Sequence, residues 1–215
     1  MTALSAHRHW RASGWLVVRP GRGIGAAPTA SQIGGSQFGV RLRYALDRAD
    51  RLAAYGRIAG PAQGRGTEAA LGVEWQPTAL PVRLTVEQRF GLDGMRGGPG
   101  IGVVAGTDRR LLGGVRLEGY GQAGMIARAQ VEPYADGALR VTVPAARRRD
   151  VRLAIGMGAW GAAQRETQRL DLGPSIVAGL PIGPVQARLI LDWRQRVMGD
   201  ARPGSGAALT LASDF

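Results

Sequence analysis

Strict two-residue alternation runs through most of this chain, and few folds accept it at such length. In "SQFGVRLRYALD" the residues Phe38, Val40, Leu42, Tyr44 and Leu46 share one face, while Gly39, Arg41, Arg43 and Ala45 share the other. Side chains of an extended strand point alternately to its two sides, so the pattern predicts a strand with one apolar and one charged face. "GTEAALGVEWQP" repeats it with Ala69, Leu71, Val73 and Trp75 against Glu68, Ala70, Gly72 and Glu74. "PVRLTVEQRFG" does so with Val82, Leu84, Val86 and Phe90 against Arg83, Thr85, Glu87 and Arg89.

The same reading extends to the end. Val115 and Leu117 oppose Arg116 and Glu118. Met125, Ala127, Ala129 and Val131 oppose Arg128, Gln130 and Glu132, and Leu139, Val141 and Val143 oppose Arg140 and Thr142. Val151, Leu153 and Ile155 oppose Arg152; Val185, Ala187, Leu189, Leu191 and Trp193 oppose Arg188, Asp192, Arg194 and Arg196. With weaker segments at 15–19, 51–60 and 98–106, roughly 11 to 13 strands of about 9–11 residues result, the length a tilted strand needs to cross a bilayer. No 3.6-residue period competes over a comparable length.

Alternation alone leaves open which face meets solvent, because a soluble barrel or sandwich turns its apolar face inward. Three features favour the opposite arrangement. A closed sheet of this many strands leaves an interior too wide for Ala and Val to fill, whereas a wet polar lumen needs no filling. Phe38, Trp75, Phe90, Trp193 and Phe215 all fall on the apolar face, mostly near strand ends, where membrane-interface aromatics sit. The other face carries both signs of charge on strand after strand. The expected fold is therefore all-β, an antiparallel up-and-down transmembrane β-barrel of about 12 strands. Residues 1–13 are expected as a disordered leader and 14–215 as a single barrel domain.

The charge is lopsided, with 28 Lys+Arg against 16 Asp+Glu, and every basic residue is arginine. Without lysine, a phosphate-cradling loop of the Walker type and a Schiff-base enzyme are both excluded. Without cysteine, disulfides and thiolate chemistry are excluded. The only histidines, His7 and His9, lie in the leader, so no strand offers a general base for a Ser-His-Asp triad, and two imidazoles alone make a poor metal site. "GRGIGA" at 21–26 and "GIGVVA" at 100–105 match a dinucleotide-binding glycine pattern, but neither opens a helix. Glu74 and Glu87 sit on neighbouring strands, where crowding arginines favour ion pairing over acid–base chemistry. No catalytic residue, metal site or cofactor is expected.

The lumen-facing charges expected from parity are Arg41, Arg43, Glu74, Arg83, Glu87, Arg89, Arg116, Glu118, Arg128, Arg140, Arg152, Arg188, Asp192, Arg194 and Arg196. They would line a weakly anion-favouring pore or the exit of a glycan path. The competing class, a soluble basic β-barrel or sandwich binding nucleic acid or acidic glycan, expects aromatics among the arginines for stacking. Here the clearest aromatics lie opposite them, so no nucleic-acid partner is expected.

No apolar run reaches the roughly 7–15 residues of a secretory signal core or the roughly 18–20 of a membrane helix. The last strand, "GSGAALTLASDF", puts Leu209, Leu211 and Phe215 on one face and ends on the aromatic. That ending resembles the C-terminal assembly signal of bacterial outer-membrane proteins. The stretch from "LEGYGQAG" through "PYADGALR" and "LDLGPSIVAGL" to the end resembles the C-terminal barrel of the bacteriophage adsorption protein A family, related in layout to exopolysaccharide-export porins. The resemblance covers roughly the last half of the chain. It implies a bacterial outer-membrane location, contact with lipid and lipopolysaccharide, recognition by the barrel assembly machinery, and an anionic glycan as a candidate solute. Family members carry a signal peptide and periplasmic helical repeats ahead of the barrel, so it also implies the C-terminal part of a larger protein.

Overall fold

The computed structural model describes residues 9–19, 35–182 and 185–214. Twelve strands follow one another in a closed antiparallel barrel, each hydrogen-bonded to its sequence neighbours, and the first pairs with the last. In chain order they are β1 (Trp10–Val18), β2 (Gln37–Ala45), β3 (Leu52–Pro61), β4 (Glu68–Trp75), β5 (Val82–Gly91), β6 (Gly98–Arg110), β7 (Arg116–Ala127), β8 (Val131–Arg148), β9 (Val151–Gln164), β10 (Thr167–Ile182), β11 (Val185–Met198) and β12 (Gly206–Asp214). With an even strand number, β1 begins and β12 ends at the same mouth, here the near mouth. The turns after β2, β4, β6, β8 and β10 share that mouth, and the others define the far mouth.

β12 closes the ring. Leu209 pairs with Val18 on one side and Leu191 on the other, and Leu211 pairs with Leu16 and Leu189. All six side chains have outward parity, so the closing seam is apolar on the outside. Phe215 lies outside the described residues.

Closure satisfies every strand edge, which is what lets a sheet lie in hydrocarbon without unpaired backbone groups. The outer wall confirms which solvent it suits. Val40, Leu71, Val86, Ile101 and Met157 are each more than half exposed, yet they sit mid-strand on the face opposite the arginines. A water-soluble barrel buries that face, so the apolar side here is the outside and the charged side the lumen. No conventional apolar core exists among the described residues: the fully buried large side chains are Arg89, Ile126, Asp171, Asp192 and Ser175.

Two sequence boundaries move. β1 begins at Trp10, inside the segment expected as leader, because Trp10–Ser13 pair with Arg41–Tyr44 of β2 and the Trp10 and Tyr44 rings pack with centroids 4.7 Å apart. The alternation read continuously from Met125 to Val131 is interrupted by a turn at 128–130 between β7 and β8. Parity survives that hairpin, which is why the period alone runs through it. Strand lengths also spread beyond the expected window, from 8 residues in β4 to 18 in β8.

Candidate functional site

The lumen wall is built from the inward-facing residue of every pair, and its chemistry is arginine against carboxylate. Toward the near mouth, Glu74 on β4 accepts from Arg41 and Arg43 of β2 and from Arg83 of β5. Arg43 also donates to Asp50 in the β2–β3 turn. Deeper, Glu87 accepts from Tyr55 at 2.7 Å, Arg57 at 2.9 Å and Arg89 at 2.6 Å. Toward the far mouth Glu68 receives Arg128, which reaches back from the β7–β8 turn, and Arg89 at 3.5 Å.

A second set covers the opposite wall. Asp192 on β11 takes both oxygens to Arg140 at 3.1 Å, accepts from Arg194 at 3.3 Å and from the Ser175 hydroxyl at 2.5 Å. Asp171 on β10 binds Arg169, Arg196 at 2.8 Å and Arg19 at 3.7 Å. Arg188 reaches Glu118 across four strands, and Arg116 holds Asp108 at 2.6 Å. Pairs that span two to four strands cut chords across the lumen, which pairs between adjacent strands cannot do.

Fourteen of the fifteen charges expected at the lumen enter ion pairs among the described residues, and the fifteenth, Arg152, lies exposed at the near rim, 3.4 Å from Gln186. Parity reasoning missed a second inventory: Tyr55, Tyr134 and Trp160 are lumen residues, each under 10% exposed. Arg41 lies over the Tyr55 ring at 4.1 Å, Arg89 over Tyr134 at 5.2 Å and Arg194 over Trp160 at 4.7 Å, within cation–π range. Glycines make room for these rings. A Cβ on Gly72 would sit 2.8 Å from Tyr55, one on Gly124 would sit 2.8 Å from the Tyr134 hydroxyl, and Gly39 lies directly under Trp15. The sequence signal for this was an aromatic sharing parity with arginines, with glycine at inward positions on the neighbouring strands.

Outside, the outward-facing aromatics fall in two sets. Trp75 ends β4 at the near mouth together with Trp10 and Tyr44, while Phe38, Phe90 and Trp193 lie toward the far mouth. Trp10, Trp75, Phe90 and Trp193 are 46–58% exposed. The outer wall is hollowed where β6 to β10 bring Ala105, Gly121, Gly137 and Gly161 into one register row, leaving shallow grooves of about 520 and 500 Å³.

Side-chain exposure in the lumen falls with depth. Arg41, Arg83, Arg116 and Arg188 near one mouth have side chains 25–33% exposed, while Arg89, Asp171 and Asp192 are at most 1% exposed. A fully buried pair gains little net stability over an apolar one but is costly to break, so these networks hold one arrangement of the wall.

No protein-family model matches the sequence, and no curated protein is similar to it. Among solved structures, the beta domain of the Bordetella autotransporter BrkA is 12% identical with a TM-score of 0.42, over 96% of this chain and 97% of that one. LpxR from Salmonella typhimurium is 11% identical with a TM-score of 0.45, over 95% and 99%. The strand topology carries the fold assignment by itself: an even-numbered closed antiparallel barrel, apolar outside and charged within, is the architecture of bacterial outer-membrane barrels.

Proposed function

We propose that the chain is a non-enzymatic outer-membrane barrel whose arginine-rich lumen favours anions, serving as the pore or export domain of a larger protein. One observation carries the reading. Among the described residues, fourteen arginines of the lumen and its rims share nine carboxylates. Low-dielectric walls focus such an excess, raising the local anion concentration and repelling cations.

The apolar band implies lipid around the barrel; lipopolysaccharide at one rim and an assembly machinery that reads the closing strand with Leu209 and Leu211 rest on the sequence resemblance. Glycan export and phage adsorption rest on the sequence resemblance alone, and an anionic glycan is the solute class it suggests.

The test is the reversal potential of the barrel in planar bilayers under a potassium chloride gradient, run at low salt where screening is weak. Chloride-selective conductance supports the reading. A cation-selective channel, or folded barrel that never conducts, overturns it.

A further inference from the structure

The arginine excess is not spread evenly. On the wall of β8 to β11 and β1, five guanidinium groups, Arg19, Arg140, Arg169, Arg194 and Arg196, surround only Asp171 and Asp192. Both aspartates are fully buried, and the five arginine side chains are 2–14% exposed.

Two of the five leave no buried donor unpartnered among the described residues. Arg196 donates to Asp171 and to the carbonyls of Gly199, Ala201 and Pro203, pinning the β11–β12 loop. Arg140 divides itself between Ser175 and Asp192. The other three each leave one: Arg19 Nε, Arg169 Nη1 and Arg194 Nε are buried donors that meet no partner among the described residues. They belong to one neighbourhood. Arg19 and Arg169 approach the same Asp171 oxygen, and Arg19 feels the charges of Arg169, Arg194 and Arg196. Arg194 is held over Trp160, which pairs in register with Asp171.

Buried, mutually repelling cations with unsatisfied donors are costly unless an anion joins them. The undescribed residues 1–8, 20–34, 183–184 and 215 contain no Asp or Glu. Guanidinium N–H groups recognise phosphate as well as carboxylate, and three separate donors suit an anion that presents three oxygens. We propose that Arg19, Arg169 and Arg194 form a discrete lumen site for a phosphate-type dianion. The inference deepens the anion-favouring reading and rests on it. Phosphate or a phosphoryl group on a sugar would present the same three oxygens here.

The test uses the full chain folded in detergent micelles, with a heat-modifiable gel band confirming the fold of every variant. Calorimetric titration at constant ionic strength compares inorganic phosphate, glucose 1-phosphate and chloride. Saturable one-to-one binding of either phosphate and none of chloride is expected; glucose 1-phosphate binding as tightly as phosphate identifies a phosphorylated solute as ligand, and phosphate alone identifies the free anion. Arg169→Gln and Arg194→Gln should each weaken binding about tenfold or more, while Arg48→Gln, in the exposed β2–β3 turn, should not. Should both site variants misfold, the wild-type unfolding midpoint in urea must still rise with the logarithm of phosphate concentration at constant ionic strength, as site binding requires, and not linearly as general salting-out does. Absent binding to a folded barrel, or equal binding by folded site variants, overturns the site. Anion-selective conductance would then still stand, because it is measured in chloride.

Discussion

Replacing Val86 by arginine separates a lipid-facing wall from a solvated one. Val86 is the central outward residue of β5, flanked in register by Val73 of β4 and Ile101 of β6, and the three are 63%, 43% and 54% exposed. If that exposure is to water, Val86→Arg swaps one exposed surface group for another, and such changes stay within about 0.5 kcal/mol. If it is to hydrocarbon near the bilayer midplane, the cost is about 2–4 kcal/mol. At about 1.4 kcal/mol per tenfold, that is a loss of roughly 30- to 700-fold in the folding equilibrium. The comparison is Leu80→Arg, in the β4–β5 turn and 64% exposed, which has the same chemistry but lies outside the membrane span. Reversible urea unfolding in phospholipid vesicles, followed by tryptophan fluorescence, reads both. The account expects Val86→Arg to cost at least about 2 kcal/mol more than Leu80→Arg. Equal costs would refute the assignment of the outer face to lipid.

Asp192→Asn leaves Arg140 and Arg194 facing a neutral group in a site with no solvent exposure, and a cost of about 3–5 kcal/mol is expected in the same unfolding assay. Gly72→Ala places a methyl 2.6 Å from the Val86 carbonyl and 2.8 Å from the Glu87 Cβ and the Tyr55 ring, so a loss of about 1–3 kcal/mol is expected; Gly121→Ala meets nothing within 4 Å and should be neutral or stabilising by up to about 1 kcal/mol. Burial raises the Asp50 carboxyl pKa, but the hydrogen bond and charge of Arg43, with Arg11 and Arg83 behind it, outweigh this and hold it below the ordinary value of 3.8. A depressed carboxyl contributes stability that is fully present above its unfolded pKa and is lost as pH falls through the folded one. The stability difference between wild type and Asp50→Asn should therefore be flat at neutral pH and shrink below about pH 4; a difference that grows on acidification would contradict the assignment.

The outer face was legible because lipid asks only that a side chain be apolar. Val40, Leu42 and Tyr44, or Leu71, Val73 and Trp75, declare themselves by parity with no knowledge of their neighbours. The lumen was legible only as a set of charges. Which arginine meets which carboxylate depends on the curvature of the closed sheet, so that Arg188 finds Glu118 four strands away and Arg128 finds Glu68 across three. The lumen aromatics were hidden for a related reason. Tyr55, Tyr134 and Trp160 share parity with charges, and the glycines that admit their rings lie partly on other strands, as Gly72 and Gly124 do. Arg169, Asp171 and Ser175 were missed because the inward positions of their strand run Arg169, Asp171, Gly173, Ser175 and Val177, and glycine and valine among the polar residues blur the charged face.

Cold and boiled gel migration, with circular dichroism, tests the central claim most directly, on protein refolded from urea into detergent micelles and separately into plain buffer. The account predicts a β spectrum and a heat-modifiable band only where detergent is present, because the exposed apolar wall of the closed barrel requires it. A monodisperse β protein in plain buffer would contradict it.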